Sequence, residues 1–218
     1  MKEIIEKVLL FDDHESSSKD RALSTTTIIG PNWKAKRDVM KDVLHKEHVD
    51  PMMRRSSCIG TGYHMRAEQA LVGDPLVDSM ERYNEKYVEE FDVWVSGKFD
   101  LVYDGHICDH KTGYGKVFAK DKLDKAVLQL SIYRWLNQDI EMKDIGYVLF
   151  VSQSVNAYES YPVNLLSIED TDTYIKVRIK EILDEDRIDC NDGIKFNMCN
   201  YCNYDRQSCD KTLDNRTF

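Results

Sequence analysis

The 218-residue sequence has no apolar run long enough to cross a bilayer; its longest stretches, such as Tyr147-Val-Leu-Phe-Val151, fall far short. The N-terminus, Met1-Lys-Glu-Ile-Ile-Glu, lacks the basic region that leads into a signal core, so a soluble, cytoplasmic protein without a membrane partner is expected. Proline and glycine are scarce, 4 and 10 residues, and nowhere do they gather with serine into a linker. No internal repeat or low-complexity segment divides the chain, and a single domain over 1–218 follows. Gly113-Tyr-Gly115-Lys116 lacks the G-x-x-x-x-G-K-[ST] spacing, which excludes a nucleotide-hydrolysing motor. Positive charge is short as well. With 30 basic against 39 acidic residues the net charge is −9, which argues against a broad basic surface for nucleic acid. A local basic strip between Lys34 and Arg55 can still sit on that acidic body, or form an ordinary solvated helix face.

Cysteine is crowded rather than absent. Of Cys58, Cys108, Cys190, Cys199, Cys202 and Cys209, the last four fall within 190–218. Without a secretion signal, metal ligation explains such crowding better than disulfides. Cys199, Cys202 and Cys209 supply three thiolates, and Cys190 or Cys58 would complete four. Zinc and iron-sulfur fit the spacing equally, and free cysteines are the alternative.

Ser24-Thr-Thr-Thr-Ile-Ile29 has β-branched strand character, and Trp33 to about His48 reads as a helix closed by Pro51. A helix follows Gly60 and Gly62 through His64, Glu68 and Leu71, and another is predicted from Pro75 to about Val88. Strands are expected over Phe91–Ser96, Lys98–Tyr103 and His106–Lys111. A helix at Asp121–Gln138, strands at Gly146–Ser152 and near Glu159–Leu165, and a long helix from a Ser167 cap to about Arg187 complete the order. The class is α/β, with a mixed central β-sheet flanked by helices.

Asp104-Gly105 between two strands favours a two-residue type I′ turn, from which the register follows by counting. Tyr103 faces His106, Val102 faces Ile107, Leu101 faces Cys108, and Asp100 faces Asp109. Opposed side chains on one face have Cβ atoms about 4.5 to 5.5 Å apart, and like charges so placed repel. A divalent cation, Mg²⁺ or Mn²⁺, would offset that repulsion. Lys111 shares the face of Asp109 and could hold a water or a phosphate oxygen there, whereas Cys108 and His110 point the other way. The alternative is a solvent-exposed charge quartet of Asp100, Asp109, Lys98 and Lys111.

Gly97-Lys-Phe-Asp100 followed by Ile107-Cys-Asp109-His-Lys111-Thr112 resembles the G-x-x-D and D-x-K strands of the PD-(D/E)xK nucleases, specifically their RecB-type exonuclease branch. Gly60-Thr-Gly62-Tyr-His64-Met-Arg-Ala-Glu68 resembles that branch's metal-binding histidine helix, and Gln129-Leu-Ser-Ile-Tyr133 its Q-x-x-x-Y helix. The superfamily's proline is missing, with Phe99 before Asp100, as is common in this branch. The resemblance implies a restriction-endonuclease-like core over 24–189 and a cysteine-rich metal-binding tail over 190–218. It implies a metal-dependent DNA exonuclease in which His64, Asp100 and Asp109 hold Mg²⁺ or Mn²⁺ and Lys111 handles the attacking water. Gln129 would position Lys111, and Tyr133 a DNA phosphate. Family members carrying a [4Fe-4S] cluster would match Cys58 with Cys199, Cys202 and Cys209, leaving structural Zn²⁺ and Cys190 as alternatives. Single-stranded DNA or duplex ends would be the substrate, with a helicase or recombination protein as partner. An endonuclease of the same superfamily and a silent nucleic-acid-binding module are the competing readings.

Overall fold

The computed structural model describes residues 19, 21–30 and 55–184. These form a six-stranded mixed sheet with helices on both sides, as the α/β pattern predicts. In chain order they are β1 (Ala22–Ser24), α1 (Thr25–Ile28), α2 (Arg55–Leu71), β2 (Val77–Val88), β3 (Val93–Tyr103), β4 (His106–Gly113), α3 (Lys120–Leu136), β5 (Ile145–Ser152), β6 (Tyr158–Asn164) and α4 (Ile168–Asp184). The helix expected over 33–48 lies outside the described residues. Among them, no helix is long and apolar enough to cross a membrane.

The Asp-Gly signal sets the middle of the sheet. Asp104 and Gly105 both take positive φ, 48° and 72°, and Tyr103–His106, Val102–Ile107 and Leu101–Cys108 pair antiparallel. The crossover through α3 then returns β5 parallel to β4, and β6 turns back antiparallel on β5. One edge of β3 lies along β2. Its other edge is divided: β1 pairs with 94–96, and β4 with 101–103. Gly97 to Asp100 fall between these two partners, where the sheet opens.

Three local expectations give way to tertiary structure. Thr25–Ile28 turns helical instead of continuing the strand, because Ser24 Oγ accepts from Thr27 N at 3.1 Å as an N-cap and Thr25 Oγ1 donates to the Ser96 carbonyl at 3.0 Å. Val77–Val88, expected to be helical from Pro75, is a strand. It lacks apolar alternation because it pairs with β3 alone among the described residues, and ladder bonding along β3 overrides its local preference. Phe91–Tyr103 does not contain two strands: Glu89–Phe91 is a 3₁₀ turn, and β3 runs unbroken through Gly97.

Helix α3 is almost wholly buried from Gln129 to Asn137, between the sheet and α4. Trp135, Leu130 and Ile132 join Val93, Val95, Phe99 and Val102 of β3 in the core, and α4 adds Ile175, Ile179 and Ile182 at helical spacing. Ser167 Oγ accepts from Asp170 N at 3.0 Å, the cap expected at the start of α4. Helix α2 lies on the other side of the sheet, across β4.

Candidate metal centre

Alternation along β4 sends successive side chains to different helices. Asp109 and Lys111 meet α3. The Lys111 ammonium donates to Asp109 Oδ1 at 3.0 Å and to Gln129 Oε1 at 3.2 Å, and Gln129 Nε2 donates to the Tyr133 hydroxyl at 2.8 Å. The i, i+4 spacing of Gln129 and Tyr133 places both on the buried face of α3 that looks at β4. Asp109 Oδ2 lies 2.8 Å from the same ammonium but off a hydrogen-bond direction, and has no hydrogen bond among the described residues. Gly97 lets Tyr133 approach: a Cβ there would fall 2.7 Å from the Tyr133 ring and 2.4 Å from Thr25 Oγ1.

Past Leu101 and Cys108 the β3–β4 ladder stops, so Asp100 and Asp109 are not a hydrogen-bonded strand pair. Instead, Asp100 Oδ2 accepts the His110 backbone N–H at 2.6 Å. His64 of α2 reaches the same carboxylate, with Nδ1 3.6 Å from Asp100 Oδ1. The other ring nitrogen, Nε2, lies 3.0 Å from the His110 carbonyl. A carbonyl can only accept, so Nε2 carries a proton and donates there, and Nδ1 is the ring nitrogen that faces Asp100. Glu81 of β2 is the third member. The pairs Met80–Leu101 and Arg82–Phe99 bracket it opposite Asp100, and one ligand atom each from His64, Glu81 and Asp100 lie within 4.8 Å of one another.

Electrostatics favour a cation at this cluster. Burial raises the Asp100 carboxyl well above the ordinary range, and Asp109 and Glu81 push it further, while the His110 N–H and Lys111 oppose them. Lys98 pairs with Glu81 at 3.1 Å and Lys111 with Asp109, which leaves Asp100 as the carboxylate without a lysine in contact. His110 does not replace one, although its Nδ1 is 3.8 Å from Asp100, because burial and His64 lower its pKa and keep it neutral. Glu81 itself has φ of +48°, a left-handed conformation that costs a non-glycine residue about 1 to 3 kcal/mol. A carboxylate is held opposite Asp100 despite that strain.

The fold thus brings together His64, Asp100, Asp109, Lys111, Gln129 and Tyr133, which lie up to 69 positions apart in sequence. It adds Glu81, hidden in sequence because its strand has no alternation to mark it. His110, expected to face away, does leave the Asp109 face, yet its ring and backbone border Asp100 and His64. Glu68 is exposed on α2, and His64 Nε2 donates to the His110 carbonyl. Cys58 is a half-buried free thiol on α2, and burial pushes the Cys108 thiol up to about 12. Cys190, Cys199, Cys202 and Cys209 lie outside the described residues.

No protein-family model and no curated protein matches the sequence. Among solved structures, the chain is similar to the crystal structure of SSO0001, at a TM-score of 0.62 and 15% identity over 85% of this chain and 86% of that one. That likeness shows a shared fold. It also matches the crystal structure of a "Putative exonuclease" from Eubacterium rectale, at 12% identity over 95% of this chain and 77% of that one; its TM-score of 0.39 is too low to bear on fold or activity.

Proposed function

We propose that the protein is a divalent-metal-dependent nuclease, an end-directed DNA exonuclease acting on single-stranded DNA. The observation that carries this reading is the convergence of His64, Glu81 and Asp100 beside the Asp109–Lys111–Gln129–Tyr133 chain. The donor set fits Mg²⁺ or Mn²⁺: carboxylate oxygens, one imidazole nitrogen, Nδ1 of His64, on the Asp100 side of its ring, and a buried Asp109 oxygen without a hydrogen bond among the described residues. The nitrogen donor favours Mn²⁺ as the softer ion.

His64, Glu81 and Asp100 would hold the cation, with Asp109 completing the site. A cation there would lower the pKa of a water and screen charge on the phosphate oxygens. Lys111 is the residue placed to orient the attacking water, as a donor beside the cation site. Its ammonium is fixed by two acceptors, Asp109 Oδ1 and Gln129 Oε1, so little reorganisation is needed when a phosphate arrives. Gln129 is a positioning residue, acting through Lys111 and itself held by Tyr133.

Residues 24–189 are read as the catalytic core and 190–218 as a metal-binding tail. Cys199, Cys202 and Cys209 with Cys58, or with Cys190, would hold a [4Fe-4S] cluster or zinc. A brown protein with broad visible absorption supports the cluster, and a colourless zinc-containing one supports zinc. A DNA helicase or recombination protein is the proposed partner, supplying unwound strands.

The activity test uses end-labelled single-stranded and duplex DNA with Mg²⁺, Mn²⁺ or chelator, alongside Asp100→Ala. Hydrolysis should require the ion and be lost in the variant. Cleavage that survives chelation or the substitution overturns the mechanism, and cleavage of circular single-stranded DNA replaces the exonuclease by an endonuclease.

A further inference from the structure

The side of β4 away from Lys111 holds a cavity of about 490 Å³ between α2 and the sheet. Its size and largely apolar walls are those of a small-molecule site. The described residues lining it include no Lys, Arg, Asp or Glu. Rings and aliphatic side chains share the wall. Tyr63 comes from α2, Tyr103 and Tyr147 come from the sheet, and His106 and His110 lie between them. Tyr147 meets His106 edge-on at 5.1 Å, and Tyr63 meets His110 at 5.7 Å. His106 Nδ1 lies 2.7 Å from the Ile145 carbonyl and donates to it, which fixes the ring in the wall.

The cavity adjoins the metal centre. Tyr63 and His110 belong to its wall, the Tyr63 ring is 6.5 Å from that of His64, and His110 Nδ1 is 3.8 Å from Asp100. The uncharged wall with its three tyrosine rings suits a flat, uncharged group, and the adjoining His64–Glu81–Asp100 cluster, when it holds a cation, suits an anionic one. A nucleotide has that division of chemistry.

We infer that the cavity receives one unpaired nucleobase of the strand whose neighbouring phosphate lies at the cluster. This rests on the nuclease reading above. Stacking on tyrosine is tolerant of sequence, because every base has a π-face, and it requires that the base leave its partner. The cavity would thus select for a single strand without a basic groove, which suits a chain of net charge −9.

The test compares binding of a fluorescent thymidine oligonucleotide with that of an abasic strand of equal length, in the full chain. Asp109→Asn is present throughout to prevent hydrolysis. Ala67→Trp, or Ala70→Trp if the first variant does not fold, fills the cavity from α2. Removing the bases should weaken binding about tenfold or more. In the filled variant, the two strands should bind alike. Equal affinity of the unfilled protein for both strands overturns the inference, as does a base preference that survives filling. A cavity that takes an apolar side chain of a protein partner would give the former result. Failure of the nuclease reading is separable: the protein without Asp109→Asn would then cut neither strand, whatever the binding comparison shows.

Discussion

The two faces of β4 carry the same strand into different surroundings. On the α3 face, Asp109, Lys111, Gln129 and Tyr133 form a continuous hydrogen-bonded chain, and even a methyl group at Gly97 would clash. On the α2 face, Cys108 and His110 border a cavity of about 490 Å³. Asp100 lies where the two meet, bonded to the backbone of His110 and repelled by Asp109. The contrast separates tasks. The packed face can fix the atoms of a reaction to within tenths of an ångström, and the open face can admit part of a substrate.

The largest expected effect lies on the packed face. Lys111→Met should lower kcat by about 10² to 10⁴-fold with metal affinity unchanged, as for loss of a general acid–base group; steady-state hydrolysis together with metal titration checks both halves. Gln129→Met should cost less, about 10 to 100-fold in kcat at unchanged KM, because it loosens Lys111 without removing it. An equal loss in the two variants would mean that Gln129 touches the substrate itself.

Packing offers a third comparison. Gly97→Ala should destabilise the protein by about 2 kcal/mol, since Thr25 and the Tyr133 ring must both move, whereas Ala67→Leu on the open face should change stability by less than about 0.5 kcal/mol. Thermal melts of the two variants measure the difference. If both destabilise alike, the cavity is not free to be filled.

The last comparison concerns Asp100 and is read in stability. Its carboxyl is raised in the folded chain, so metal-free stability is highest below the ordinary carboxylate range and falls as pH rises through the raised value. Asp100→Asn removes the ionising group but keeps an acceptor for the His110 N–H. It should stabilise the chelated protein by about 1 kcal/mol at pH 7 and by less at pH 4, while abolishing hydrolysis. Denaturant midpoints across pH test the sign; a variant less stable than the parent at pH 7 would contradict it.

Much of the packed face was legible beforehand. Asp104-Gly105 names its own turn, the turn sets three strand pairs, and period-two alternation assigns Asp109 and Lys111 to one side. Helical spacing puts Gln129 and Tyr133 on one face, and only the resemblance to the Q-x-x-x-Y helix tied that face to the site. The open face was not, because a cavity is a relation between α2 and four strands and leaves no local pattern. Glu81 was hidden for a similar reason: Val77–Val88 has neither alternation nor a breaker, and only pairing with β3 makes it a strand.

Sequence alone therefore determined the class of fold and the β3–β4 hairpin, since each follows from patterns within a few positions, while the candidate site residues were picked out by their resemblance to short motifs. Tertiary structure decided the ligand geometry. It ended the β3–β4 ladder before Asp100, set Glu81 opposite that residue, and turned His64 Nδ1 toward it by holding Nε2 on the carbonyl of His110. Those relations join four separate segments of chain through strand pairing and side-chain to backbone hydrogen bonds, which no local periodicity encodes, and they bring the three ligand atoms within 4.8 Å.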